Sequence, residues 1–341
     1  MVCEKEHIRE IVGSLAVPLT GRTVEEMNLL RGIETSGGTS VITLAVPFRE
    51  GRVKEVFHQV VKEALQEHCS LEEIELKIES GGPSNINRIR QVIAVISGKG
   101  GVGKSLVSSL IALALRRSGQ KVGILDGDIT GPSIPRMFGL NGTPGGGEGG
   151  IFPAITRSGI TVMSINLLLE QDDDPVIWRG PLIARAITQF WEEVYWGDID
   201  TLVVDCPPGT ADAPLTVMQS LPVSSVVVVF SPQNLVEMIV RKAVKMVRSL
   251  EKPLLGAVEN MSYLNVPGLE KPLHVFGPSR AVELTAALGI PLLGQIPLDP
   301  DLARLCDEGK IEFYRSKALE DFEKRLLGEL GNALRAVRRE S

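Results

Sequence analysis

Of all features of this chain, Gly98-Lys99-Gly100-Gly101-Val102-Gly103-Lys104-Ser105 restricts its fold most. It fits G-x-x-x-x-G-K-[ST], the pattern of a phosphate-binding P-loop. The β-branched run Val92–Ile96 precedes it at strand length. Apolar residues then recur at helical spacing, at Leu106, Leu110, Leu113 and Ala114. Strand, glycine loop and helix together aim backbone N–H groups and a helix N-terminus at an anion. The pattern predicts that the backbone of Gly98, Lys99, Gly100, Gly101, Val102 and Gly103 wraps phosphate oxygens. Lys104 would reach the β- and γ-phosphates, and Ser105 would place its hydroxyl on Mg2+. ATP is the expected ligand.

Further strand-length apolar runs occur at 122–125, 160–165, 201–204, 226–230 and 254–258, with helical patterns filling most of the intervals. Strands this apolar imply burial on both faces, hence an α/β fold with a mainly parallel sheet and helices on both sides. Ligands in such sheets sit beyond the carboxyl ends of the strands. Acidic residues stand at those ends. Asp205 closes Leu202-Val203-Val204-Asp205, the Walker B arrangement that holds the Mg2+ shell. Gly209, just after it, could turn an N–H toward a γ-phosphate. Asp128 follows Asp126 by two positions and could orient an attacking water; a helix N-cap or turn is the alternative for Asp126. Asn260 reads equally as a turn former or as an amide that recognises adenine.

The segment 79–85 (E-S-G-G-P-S-N) reads as a linker and sets off residues 1–80 as a small α+β domain; 81–91 joins it to an ATPase domain at 92–341. In the small domain the expected elements are a helix at 4–15, strands at 41–46 and 74–78, and a weaker strand near 27–33. An amphipathic helix is expected at 53–67, with Val56, Val60 and Leu65 on one side. The glycine-rich stretch 141–150 is expected to lack regular structure.

A length of 341 residues and 43% hydrophobic content allow one large and one small domain. The formal net charge of −6 argues against non-specific nucleic-acid binding, and 4% aromatic content against base-stacking surfaces. No apolar run reaches the roughly 20 residues needed to span a bilayer, and no signal-peptide core opens the sequence. Cys3, Cys69, Cys206 and Cys306 are scattered, suggesting neither a disulfide framework nor a zinc site, so a reducing cytoplasm is the expected location. The stretch 318–339 is amphipathic. Its acidic residues favour a helix packed on the sheet over one lying on a membrane.

K-G-G-V-G-K-S, with its second lysine at Lys99, resembles the deviant P-loop ATPases related to septum-site and plasmid-partition proteins. That resemblance implies a homodimer in which Lys99 reaches the partner's nucleotide, tying hydrolysis to dimer state. More closely, the chain is similar to the Mrp/ApbC family of iron–sulfur cluster carrier ATPases. The matching segments are 126–135 (D-G-D-I-T-G-P-S-I-P), 174–181 (D-P-V-I-W-R-G-P), 205–215 (D-C-P-P-G-T-A-D-A-P-L), Ser231-Pro232-Gln233, 258–263 (V-E-N-M-S-Y) and 294–299 (G-Q-I-P-L-D). By position, the resemblance gives Lys99, Lys104 and Asp128 the catalytic roles and Ser105 and Asp205 the metal. Asn260 and the backbone near Pro297 would hold adenine. Residues 1–80 are loosely similar to an assembly-factor domain often fused ahead of such ATPases.

Two departures stand out. The family carries a C-P-x-C pair after M-S-Y, and two such pairs across a dimer supply the thiolates for a cluster. Here Val266 and Leu269 occupy the cysteine positions around Pro267, and apolar carbon cannot ligate iron. The reactive cysteine expected near Pro47 is also missing. The resemblance therefore implies an ATPase serving iron–sulfur assembly, with apoprotein clients or assembly factors as partners, whose own thiols argue against holding a cluster. The alternatives are a nucleotide-switched interaction protein paired with a cysteine-bearing paralogue, or a spatial organiser.

Overall fold

A computed structural model describes residues 4–18, 20–36, 39–47, 52–69, 73–128, 133–147, 150–168, 180–210, 212–233, 236–266 and 268–340. The chain forms two compact units. One comprises Met1–Arg90, Pro144–Ile155 and Gln189–Asp200; the other comprises Gln91–Thr143, Thr156–Thr188 and Thr201–Ser341.

In the first unit, helices Lys5–Ser14 and Arg52–His68 accompany a three-stranded sheet. Its strand Thr39–Val46 pairs antiparallel with Leu30–Ser36 and parallel with Glu73–Ser80. The helix Arg52–His68 buries Phe57, Val61 and Leu65, whereas Val56 and Val60 are 52% and 39% exposed. The amphipathic phase is thus one residue off the expected one. The i, i+4, i+8 row that includes the phenylalanine removes more apolar surface from water than the valine row does. Part of the stretch read as a linker is structured, with a helical turn Pro83–Ile86 and a strand beginning at Arg88. Within the expected loop 141–150, Gly146 pairs with Ile151 and Gly147 with Gly150, a short antiparallel ladder that composition did not suggest. Cys69 is disulfide-bonded, contrary to the expectation of reduced thiols; Cys206 and Cys306 are free.

A mainly parallel sheet organises the second unit. Its strands run in the order Thr161–Ser164, Val122–Asp126, Asp198–Asp205, Arg88–Ser97, Ser225–Phe230, Leu254–Leu264 and Leu292–Leu298. The pairs Thr161–Ser164 with Val122–Asp126, Asp198–Asp205 with Val122–Asp126, and Arg88–Ser97 with Ser225–Phe230 are parallel. So are both partners of Leu254–Leu264. Val92–Ser97, Val122–Asp126 and Ser225–Phe230 are buried throughout, as strands covered by helices on both faces must be. Leu292–Leu298 was not anticipated as a strand. It carries Pro297, which an edge strand tolerates because no inner neighbour needs its missing N–H.

Helix Lys104–Arg117 buries Val107, Leu110, Ile111, Leu113, Ala114 and Leu115, and is therefore apolar nearly all round. The C-terminal helix Lys317–Glu340 packs Leu319, Phe322, Leu326 and Leu330 into the same core, following the packed reading of its pattern. Among the described residues, no helix is long and apolar enough to cross a membrane.

Candidate active site

The P-loop leaves the strand Arg88–Ser97 and enters the helix Lys104–Arg117 through Gly103, whose φ of +78° is left-handed. Glycine adopts that conformation without strain. A Cβ at Gly103 would also fall 2.1 Å from Asn260 Nδ2, and one at Gly98 would fall 1.8 Å from Ile239 Cγ2. At Gly100 and Gly101 a Cβ would meet nothing within 4 Å, so the loop is open on that side. The helix has no side-chain cap at its start and no acidic residue in its first turn. Its first N–H groups therefore await an external acceptor.

Lys104 is 5% exposed. Its ammonium sits 2.8 Å from Asp205 Oδ2 and 3.5 Å from Asp128 Oδ2. Burial alone would lower its pKa, but Asp205, Asp128 and Asp126 outweigh that and hold it above its ordinary value. A buried ammonium with donors to spare beyond its carboxylate partners, beside an uncapped helix start, fits a phosphate group. Ser105 Oγ donates to Asp205 Oδ2 and Ser108 Oγ to Asp205 Oδ1, both at 2.6 Å. Ser105 and Asp205 thus bring two hard oxygen donors together, which fits Mg2+.

The loop after Asp205 is fastened to the P-loop strand: Cys206 N donates to Val95 O at 3.0 Å and Gly209 N to Ser97 O at 2.9 Å. The Gly209 amide, read as a γ-phosphate sensor, is engaged here. Asp128 N donates to Asp126 Oδ1 at 3.2 Å and Ser164 Oγ to Asp126 Oδ2 at 3.1 Å. Burial first, then the charge of Asp205, pushes the Asp126 carboxyl up to about 8. Asp126 is therefore a turn-forming group under Asp128, in keeping with the structural alternative.

Asn260 is 1% exposed and its amide donates to Val102 O at 2.9 Å, so in this structure it braces the P-loop. Pro297 is buried in Leu292–Leu298 and offers no side-chain donor. Lys99 Nζ donates to Gln233 Oε1. Residues 174–179, most of the W-R-G-P segment, lie outside the described residues, as does Pro267.

Two features escaped the sequence. Ser108, one helical turn after Lys104, anchors Asp205; a serine among Val107, Leu110 and Ile111 was its faint signal. Glu259, 1% exposed, accepts on Oε2 from Ser262 Oγ (2.5 Å), Ser279 Oγ (2.6 Å) and Gln295 Nε2 (3.1 Å). No spacing connects those four residues.

The chain is similar to known proteins. A family model described as the NUBPL iron-transfer P-loop NTPase matches residues 88–328. An iron–sulfur cluster carrier protein of Clostridium perfringens is 44% identical over 239 residues, covering 68% of this chain and 84% of that protein. One from Synechocystis is 34% identical over 335 residues, covering 93% and 95%. The solved nucleotide-binding protein from Archaeoglobus fulgidus, in complex with ADP, is 44% identical with a TM-score of 0.62, covering 69% of this chain and 92% of that one. With the family model spanning both the P-loop and the Asp205 strand, the chain belongs to the NUBPL iron-transfer P-loop NTPases.

Proposed function

We propose that this protein is a dimeric Mg-ATP hydrolase of the cytoplasm that serves iron–sulfur cluster assembly or transfer. The observation that carries the reading is Lys104, buried, paired with Asp205 at 2.8 Å and with Asp128 at 3.5 Å, at an uncapped helix start. Phosphoryl transfer depends almost wholly on positioning and charge stabilisation, and these residues supply both. Lys104 holds the transferring phosphoryl group, Asp128 orients the attacking water, and Ser105 with Asp205 holds Mg2+, which would neutralise phosphate charge. The backbone near Pro297 borders the adenine, while Asn260 braces the P-loop. Lys99 acts on the nucleotide of a second copy, which couples hydrolysis to dimer state. The names of the relatives support iron–sulfur work as the purpose, with apoproteins or assembly factors as clients. Mg2+-dependent ATP turnover that needs Lys104 tests the reading.

A second reading concerns the cargo. Val266 and Leu269 stand where the resemblance places the cluster-binding cysteines. Burial pushes the Cys206 thiol up to about 12, and burial pushes that of half-buried Cys306 up to about 11. Neither is poised as a thiolate ligand. On this reading the chain is the nucleotide switch, and a cysteine-bearing paralogue or client holds the cluster. Iron counted after anaerobic reconstitution separates the two.

A further inference from the structure

Lys99 and Gln233 meet across a separation of 134 residues. Lys99 lies one residue into the P-loop, and its carbonyl accepts from Ser97 Oγ at 2.9 Å. Gln233 follows Ser231 and Pro232 on the loop that leaves the strand Ser225–Phe230. That strand pairs with the P-loop strand, Val229 opposite Ser97, so the two loops leave adjacent strand tips.

Gly98 packs so closely on the helix Val236–Ser249 that it leaves no room for a Cβ beside Ile239. Gln233 is exposed and lines an open cleft with Phe230, Glu237, Glu259 and Arg280. The nearby carboxylates are engaged elsewhere: Glu237 with Arg241 and Arg280, Glu259 with its two serines and Gln295. A neutral amide oxygen holds an ammonium more weakly than a carboxylate or phosphate does, so it directs the lysine without keeping it from a stronger acceptor.

We propose that Gln233 is a positioning residue for Lys99, parking the ammonium on its own subunit until the nucleotide of a second copy draws it away. This rests on the reading of Lys99 as the lysine that acts across the dimer.

The contact itself is tested on the full chain without nucleotide, by the rate at which an acetylating reagent modifies each lysine, read by peptide mass spectrometry. Gln233→Ala should raise modification of Lys99 by about two- to fivefold, the range of an exposed polar pair. Gln233→Glu should lower it, and Lys252 should be unaffected by either. A merely structural role would not give opposite signs for the two variants. In ATP turnover, Gln233→Ala should reach half-maximal rate at lower protein concentration and Gln233→Glu at higher, with KM for ATP unchanged. Equal Lys99 modification in all three proteins would overturn the contact. Altered modification with an unaltered concentration dependence would overturn its role in delivering the lysine. If the labelling responds but Lys99→Ala and Asp128→Ala subunits never complement each other, the action across the dimer fails instead.

Discussion

The side-chain amide of Asn260 donates to the carbonyl of Val102 at 2.9 Å, fixing the P-loop from 158 residues downstream. The same amide lies against Gly103, where a Cβ would approach Nδ2 to 2.1 Å. The sheet thus sets the loop's curvature through a neighbour that the loop's own sequence does not contain.

Asn260→Ala removes the donor and leaves the loop unbraced. A buried hydrogen bond lost in this way costs about 1–3 kcal/mol. We expect a lowered unfolding midpoint and an ADP dissociation constant raised by about tenfold. Calorimetric titration beside a denaturant melt reads both; unchanged affinity would mean that Val102 needs no brace.

This contact also marks how far the sequence could be read. The P-loop, Asp205 and Asp128 were legible because each is a local pattern tied to one strand end. The brace at Asn260, the Ser108 anchor and the Lys99–Gln233 contact were not, because each joins side chains whose proximity only the sheet order creates. In the helix Arg52–His68 the period was read correctly but its phase was not, since Val56 and Val60 are as apolar as Val61 and only packing against Phe57 decides. The strand Leu292–Leu298 was hidden by Gly294 and Pro297, which an edge position permits.

Asp126 gives a pH signature. Its carboxyl is raised from an ordinary value near 3.8 to about 8, so the folded state binds a proton that the unfolded chain has released. Stability from this group is complete below the unfolded pKa and is lost as pH rises toward about 8. Denaturant melts without nucleotide should show stability falling over that window. Asp126→Asn should flatten the fall. An identical slope in both proteins would remove Asp126 as its cause.

For the cluster, anaerobic reconstitution of the unmodified chain should leave it without a stable [4Fe–4S] centre. A variant carrying both Val266→Cys and Leu269→Cys should gain iron and a thiolate-to-iron absorption band if that loop meets its copy at a dimer axis. About four irons per dimer in the unmodified chain would place the ligands elsewhere.

Lys99→Ala should bind ATP nearly normally and fail in hydrolysis. Mixed with Asp128→Ala subunits it should recover part of the activity, because one composite site of the mixed dimer is whole. Mixed dimers that are confirmed but inactive at every ratio would argue against action across the interface.

Turnover of ATP by the purified chain, with and without Mg2+, beside Lys104→Ala tests the central claim most directly. Because the buried ammonium is the group matched to the transferring phosphoryl, we expect slow Mg2+-dependent hydrolysis that falls by orders of magnitude in the variant, with the fold retained. Hydrolysis at the parent rate in Lys104→Ala would contradict the assignment and place the activity at another site or in another protein.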